Sequence, residues 1–543
     1  MAERTSILAP FRHETFRTLW AATLMSNLGG LVQSVGAGWM MTTLTTSHNM
    51  VALVQASTTL PIMVFSIAAG ALADNFDRRS VMLVAQAGMA LVSLSLAITA
   101  WMGLLNPWLL LTFTFLIGCG TALFNPSWQA SMGDIVPRDD LPGAVTLNSM
   151  GFNMMRSVGP AVGGMIVALA GASAAFAVNA LSYLTLIAAL WRWQPKRTKS
   201  RLPRERFGSA MLAGVRYMSL SPNLLTVLFR GFLFGFAAIV IMALLPSVAE
   251  EYVGGGALVY GTLLGCFGLG AIGGAFLNGR IRQRFSNEVI VRLACLGFAA
   301  SCLGLGFSRD ALLSHLVLLP AGACWVLSLS LFNVSIQLSS PRWVVGRALS
   351  LYQTATFGGM AGGSWIWGLT ADATDPQWAL VVAGGVLLVC CGVGFVLPLP
   401  QFNDRDLNPL GTFNEPLLKL DLRPRSGPIM VMIDYEIAQE DISRFLALMS
   451  DRRRIRIRDG ARQWSLLRDL EKPNIWVESY HVPTWVDYVR HNLRRTKADA
   501  DNTEQLRALH RGEGLPHVHR MIERQTVPLD DTTPLRDSPE IGA

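Results

Sequence analysis

Seven stretches of this chain, 51–73, 81–105, 108–132, 172–191, 257–277, 348–371 and 377–400, contain no Lys, Arg, Asp or Glu. Each reaches the roughly 20 residues that an α-helix needs to cross a bilayer. Runs of this length in this number are accommodated in lipid, where each helix satisfies its own backbone groups. Other runs carry one basic residue, with Arg156 inside 141–169 and Arg230 inside 223–249. Together they predict twelve membrane-spanning helices, six before a basic loop and six after it. Only 15% of the residues are charged, whereas soluble chains carry about 25%.

The remaining charges gather in alternate connections. Arg12 and Arg17, Arg78 and Arg79, the cluster from Lys196 to Arg206, Arg280 to Arg284, and Arg342 with Arg347 mark one set. The connections between them, such as 45–50, 103–107 and 171–173, lack Lys and Arg. Basic loops stay on the cytoplasmic side. Both termini and the central loop are therefore expected in the cytoplasm of a multi-pass plasma-membrane protein. The net charge of +8 is assigned to topology and not to nucleic acid. Residues 1–17 are polar and carry no small-residue cleavage site, so no signal peptide is expected. The seven cysteines fall within expected spans, without metal spacing or a disulfide framework.

An internal repeat organises the spans. Leu123-Phe124-Asn125-x-Ser127-x-Gln129-x-Ser131 returns 208 positions later as Leu331-Phe332-Asn333-x-Ser335-x-Gln337-x-Ser339. Gly70-Ala71-Leu72-Ala73-Asp74 is echoed by Gly274-Ala275-Phe276-Leu277-Asn278 at an offset of 204. Two bundles of matched topology facing one another are a common way to build a transport path. The expected organisation is a six-helix bundle over 1–193, a basic loop over 194–217 and a second six-helix bundle over 218–400. A polar linker rich in proline and glycine covers 401–427, and a disordered tail is expected over 527–543. Between them, 428–526 reads as a cytoplasmic α+β domain. Ile429, Val431, Ile433 and Tyr435 alternate as in a strand, and Ile442, Phe445, Leu446 and Met449 follow a helical spacing. The fold class is thus an all-α polytopic membrane protein with an appended α+β domain.

Several motifs carry chemistry. Gly70-x-x-x-Asp74-x-x-Asp77-Arg78-Arg79 joins the second and third spans. Gly70 lets helices approach, while Asp74, Arg78 and Arg79 offer charge-assisted bonds that form in one conformation and break in another. That is a conformational gate; ordinary topogenic charge is the alternative. In Ser157-Val158-Gly159-Pro160-x-x-Gly163-Gly164, Pro160 frees a carbonyl while Gly159, Gly163 and Gly164 permit close crossing. This makes a helix hinge or a plain small-residue contact, and Gly358-Gly359-x-x-Gly362-Gly363 stands at the equivalent place. Arg156 faces water, an acid or a substrate anion unless it snorkels, and Arg230, near its helix start, is expected to snorkel. Asn27, Gln33, Asn125, Gln129, Asn333, Gln337 and Gln353 are candidates for lining a substrate cavity, with interhelical hydrogen bonding as the alternative.

In this order the motifs resemble the major facilitator superfamily, whose loop between spans two and three carries Gly-x-x-x-Asp-x-x-Gly-Arg-Arg/Lys. Asp77 stands where that pattern has its second glycine. Phe16-Arg17-x-Leu19-Trp20, Gly38-Trp39, Leu44-Thr45 and Leu72-Ala73-Asp74-x-x-Asp77-Arg78-Arg79 resemble its bacterial enterobactin-exporter-like branch, the transmembrane secretion effectors, over about residues 11–400. The Gly159-Pro160 segment is similar to the signature of exporters and antiporters. The resemblance implies the major facilitator fold, a bacterial inner-membrane location and export by alternating access against proton uptake. The fourth span, at 115–120, lacks the arginine of many proton-coupled drug antiporters. Arg458-Asp459-Gly460-Ala461-x-x-Trp464 and Trp485-x-x-Tyr488-x-Arg490-His491 resemble small ferredoxin-like domains similar to antibiotic-biosynthesis monooxygenases. Those domains pair, which implies a homodimer through residues 428–526, with Trp464, Trp476 and Trp485 as core or dimer contacts.

The expected function is secondary active export of a small amphipathic molecule such as a siderophore, drug or natural product. An importer on the same fold, or a membrane-tethered enzyme or sensor built on 428–526, are the alternatives. The expected partners are a small-molecule substrate, protons and lipid. No catalytic residue and no cofactor are expected, since no Gly-Lys-Ser/Thr phosphate loop is present. His517 and His519 share a strand face without a third ligand, so no metal is expected.

Overall fold

The computed structural model describes residues 8–137, 140–194, 207–341, 343–399 and 410–523, the last stretch without 411, 412, 414, 417, 421 and 424. The basic cluster from Lys196 to Arg206, Arg342, most of the expected linker and the expected tail lie outside the described residues. So do the side-chain surroundings of Gly70 and Asp74, although both positions are helical.

Five helices precede the basic loop: α1 (Glu14–Leu44), α2 (His48–Asn75), α3 (Arg78–Trp101), α4 (Pro107–Ile135) and α5 (Leu141–Arg192). After it come α6 (Phe207–Ser219), α7 (Pro222–Val248), α8 (Gly256–Arg284), α9 (Asn287–Phe307), α10 (Ala311–Leu338), α11 (Val345–Ala373) and α12 (Pro376–Val396). Short polar connections cap several starts. Ser47, Asp77, Asn106 and Ser286 each accept a backbone N–H three residues on. At 52 residues, α5 would run roughly 78 Å as one helix, far beyond a bilayer core of about 30 Å. Gly171, at φ 78° and ψ 170°, breaks it into two.

Nine helical runs among the described residues are long and apolar enough to cross a membrane. α1 and α11 have the length, at 31 and 29 residues, but Ser, Thr, Asn, Gln and Gly dilute their hydropathy. The repeated pattern falls at matching places, the C-terminal ends of α4 and α10, and the shorter echo ends α2 and α8. In both copies the phenylalanine is buried in its bundle, with Phe124 stacked on Trp128 at 6.1 Å and Phe332 against Phe234 at 6.1 Å. Ser127 and Ser335 are fully buried and their hydroxyls have no partner among the described residues, so both act as small packing residues.

The chain divides into two compact units. The first comprises Met1–Phe207, Leu225–Ile336 and Leu349–Gln401; the second comprises Gly208–Leu224, Gln337–Ala348 and Phe402–Ala543. The second unit contains β1 (Ile429–Glu436), α13 (Ile442–Asp459), β2 (Arg462–Arg468), β3 (Ile475–Val482), α14 (Trp485–Leu493), α15 (Lys497–Leu509) and β4 (His517–Ile522). The strands form one antiparallel sheet in the order β2-β3-β1-β4. Ile429, Val431, Ile433 and Tyr435 bury one face of β1 against Phe445, Met449, Leu506 and Leu509 of the helices. Trp476, Tyr480, Trp485 and Tyr488 join this core, and Trp464 packs against it. The aromatic side chains that suggested a dimer interface are therefore largely spent inside the domain. Tyr217 of α6 and Trp343, from the α10–α11 connection, belong to the same unit, where Arg458 lies over Tyr217 at 5.2 Å and Arg494 over Trp343 at 4.2 Å.

Candidate functional site

The turn between α2 and α3 is short because Asp77 caps α3, accepting from both the backbone and the hydroxyl of Ser80. A capping carboxylate thus replaces the conformational freedom of the missing glycine. Arg78 then reaches α4, donating to Ala130 O and Asp134 Oδ2, each at 2.9 Å. Arg79 turns the other way and donates to Leu190 O at 2.8 Å and Trp191 O at 2.7 Å, satisfying carbonyls at the end of α5. The candidate gate is thus a junction of α2, α3, α4 and α5. Its acidic partner, Asp134, was not singled out from the sequence, although it is the first acid after the long uncharged run of α4.

A related junction closes the end of the second bundle. Arg230 does not snorkel: it is 4% exposed and pairs with Glu288, itself 7% exposed, at the start of α9. Glu288 also accepts from Arg292 Nε at 2.9 Å and from Leu399 N at 2.8 Å, and Arg292 donates to Gly394 O at 2.7 Å. Helix packing around Glu288 overrides the short route to solvent that the position of Arg230 in sequence suggested. Breaking such a buried pair from one side costs about 3–5 kcal/mol.

The candidate hinge residues lie on two faces of α5. Gly159 and Gly163 receive Leu31 and Val32 of α1, while Gly164 meets Gly261 of α8 so closely that a Cβ on either would lie within 2.8 Å of the other's Cα. The second half repeats the scheme, with Gly359 and Gly363 of α11 against Phe232 and Phe236 of α7. Pro160 leaves the helical path of α5 intact; the non-helical backbone is at Gly171. Lacking an N–H, Pro160 cannot bond the carbonyl of Arg156, and that carbonyl faces Gly268 of α8. On the other side, α2 meets α11 through Ser66 and Thr354 at 2.8 Å and, at the opposite ends of the two helices, through Ser47 and Asp372 at 2.7 Å.

The candidate cavity residues separate. Arg156 is half-buried, its guanidinium 5.9 Å from the Trp325 ring centroid, with no carboxylate partner among the described residues. The indole N–H of Trp325 is buried and also lacks an acceptor among them. Gln33 is a correction: it is 4% exposed and accepts from Ser93 and Asn179, tying α1, α3 and α5 together. Apolar packing on every side makes a buried amide seek partners, and here it finds them within the bundle. Asn125 and Gln129 share an exposed face of α4, Asn27, Asn333 and Gln353 are half-buried, and Gln337 is exposed at the end of α10.

In the second unit, Asp434, His517 and His519 offer three donor atoms within 4.8 Å of one another, on the sheet face away from the helices. Pairing of β1 with β4 sets Asp434 opposite His517, a register that supplies the third ligand the sequence lacked. Three such donors suit an open zinc-type site. Across the sheet, burial would raise the Glu478 carboxyl, but Arg456 and Arg452 hold it down to about 2. Burial raises Asp459 to about 6 against the opposing pull of Arg458. Burial, with Arg456 alongside, keeps His491 neutral well below the usual imidazole range.

The family profile described as transmembrane secretion effector matches residues 5–526, taking in the C-terminal sheet as well as the helices. An enterobactin exporter of Escherichia coli O1:K1 / APEC is 24% identical over 395 residues, 72% of this chain and 92% of that one. Macrolide efflux protein A of Streptococcus pyogenes is 24% identical over 269 residues, 47% of this chain and 66% of that one. A bacterial homolog of the human lysosomal transporter Spinster, solved inward-facing and occupied, has a TM-score of 0.58 at 14% identity, covering 72% of this chain and 97% of that one. That likeness shows the fold alone. The chain belongs to the transmembrane secretion effector family and is a multi-pass transporter of the major facilitator type, not an enzyme.

Proposed function

We propose that this protein exports a small amphipathic molecule across the bacterial inner membrane by alternating access, coupled to proton uptake. The observation that carries the mechanism is how the halves meet. α5 crosses α8 through small residues, and α2 meets α11 through two small polar contacts, Ser66 and Met63 with Thr354, and Ser47 and Asn49 with Asp372, so one bundle can rock on the other without breaking a large polar network. The direction is supported by the exporter and efflux relatives. Twelve crossings follow if α1 and α11 and both segments of α5 are counted as spans, and the alternating basic connections support a cytoplasmic location for both termini.

In this reading Gly70, Asp74, Arg78 and Arg79 form the cytoplasmic gate with Asp134, while Gly159, Gly163 and Gly164 provide the surface on which α5 moves. Arg156 and the Trp325 N–H supply donors for an anionic group on the substrate. The order β1–α13–β2–β3–α14–α15–β4 and the strand arrangement support the ferredoxin-like reading of the C-terminal domain, in which we place regulation. A homodimer would use the sheet face bearing Met430, Met432 and Met521 and not the internal aromatics; sedimentation of the full chain in detergent tests it. Accumulation of candidate siderophores and macrolides in inverted vesicles tests export, and accumulation confined to right-side-out vesicles would make the protein an importer.

A further inference from the structure

A cavity of about 420 Å³ lies in the C-terminal domain between the helix-facing side of the sheet and helices α13, α14 and α15. Small-molecule sites occupy about 300–1,000 Å³. The register dictates part of the lining: Val431, Ile433 and Tyr435 alternate onto this face of β1, and Arg520 of β4 pairs opposite Val431. Tyr480 of β3 and Tyr488 of α14 complete an aromatic wall. Helix α13 contributes Arg452 and Arg456, one turn apart, and the chain beyond α14 adds Arg495 and Arg507.

The cavity holds more positive charge than the domain neutralises. Glu478, fully buried behind it, lies 3.0 Å from Arg456 Nε and 3.6 Å from Arg452 Nε, and so serves both. Arg495 donates to Thr503 Oγ1 at 2.8 Å, and Arg520 to the Tyr488 hydroxyl at 2.6 Å. Neither these two nor Arg507 has a carboxylate partner among the described residues. Burial and the nearby Arg456 and Arg452 pull Arg495 down to about 10. Arginines gathered beside tyrosine rings provide forked donors for an oxyanion and flat surfaces for a ring. The segment that follows α12 closes one side: Leu410 N donates to Arg495 O at 2.9 Å, and Phe413 stands edge-on to Tyr488 at 6.1 Å.

We propose that this cavity is a receptor site for an anionic, ring-bearing small molecule. Its carboxylate, sulfonate or phosphate engages Arg495 and Arg507, with Arg520 at the mouth, while its ring packs among Tyr435, Tyr480 and Tyr488. Because Leu410 and Phe413 form part of the wall, an occupant tightens the segment that leads out of the membrane helices. The site does not depend on the direction of transport or on the identity of the exported molecule.

Calorimetric titration of the detergent-purified full chain with 1-naphthoate, using neutral 1-naphthamide as the matched probe, tests it. Saturable binding of 1-naphthoate is expected, at least about tenfold weaker for the amide and for R495Q/R507Q. Arg452 and Arg456 are left untouched because they hold Glu478. The single variants R507Q and R520Q change exposed positions and are expected to weaken binding about threefold each, which guards against a folding artefact. Bound 1-naphthoate is also expected to slow chymotryptic cleavage after Phe413 in the native chain and not in R495Q/R507Q. Absence of saturable 1-naphthoate binding, equal binding of the amide, or unchanged affinity in all three variants would overturn the proposal.

Discussion

The guanidinium of Arg156, in α5, rests over the ring of Trp325, in α10, at 5.9 Å, so a cation from the first half meets an aromatic face from the second. A cation–π contact is worth about 0.5–2 kcal/mol, less than a charge needs when it leaves water. The remaining demand is for an anion that the described residues do not supply.

Replacing Arg156 by Ala is therefore expected to lower export of anionic substrates by about tenfold or more, while neutral substrates change little. Arg156→Lys recovers part of the loss, since an ammonium lacks the planar fork. Transport assays with a matched anionic and neutral pair check this, and equal rates for both variants and the native protein would remove Arg156 from the pathway.

Arg78 and Asp134 are each about one-third exposed, so their bond is worth at most about 1 kcal/mol. Arg78→Ala and Asp134→Asn should each change turnover by up to about fivefold, with substrate affinity nearly unchanged. The double variant should be no worse than the single ones. Additive losses would show that the two side chains act separately.

Placing a methyl group at Gly164 or Gly261 forces it against backbone of the facing helix. Each Gly→Ala change is expected to cost about 1–3 kcal/mol of overpacking and to slow conformational exchange. Melting in detergent and exchange rates between labelled bundle ends provide the readouts; unchanged values in both variants would contradict a close crossing.

Three buried groups of the C-terminal domain give opposing dependences on pH. His491, kept neutral by burial, costs stability as pH falls below 6.5, while Glu478 acts in the same sense at lower pH and Asp459 in the opposite sense. Glu478 is depressed from 4.5 to about 2, so the stabilisation it brings is present above pH 4.5 and is lost as pH falls toward 2. Asp459 is raised from 3.8 to about 6, so the folded domain holds its proton more tightly and loses stability as pH climbs through that window. Each carboxyl contributes at most about 3 kcal/mol. Hydrogen exchange over 429–522 in the full chain reads the sum, and Asp459→Asn should remove the loss between pH 3.8 and 6, leaving a stability that rises with pH up to about 6.5 as His491 requires.

The long uncharged runs and the repeated Phe-Asn-x-Ser-x-Gln pattern made the paired helices legible, because length, hydropathy and self-similarity act locally along the chain. The strand alternation of Ile429 to Tyr435 was legible for the same reason. What escaped were partners brought together by tertiary packing. Asp134 finds Arg78 from 56 residues away, and Glu288 draws Arg230 inward from 58. Gln33 has the composition of a cavity residue, and only the approach of Ser93 and Asn179 reveals it as interhelical glue. The register that sets Asp434 beside His517 and His519 is likewise absent from any local pattern.

Uptake of a panel of siderophores and macrolides into inverted membrane vesicles, with and without an imposed pH gradient, tests the central claim most directly. The account predicts protein-dependent accumulation of at least one compound when the lumen is acidic, abolished by a protonophore and reduced in Arg78→Ala. Accumulation only in right-side-out vesicles, or accumulation in inverted vesicles that ignores the gradient, would contradict proton-coupled export.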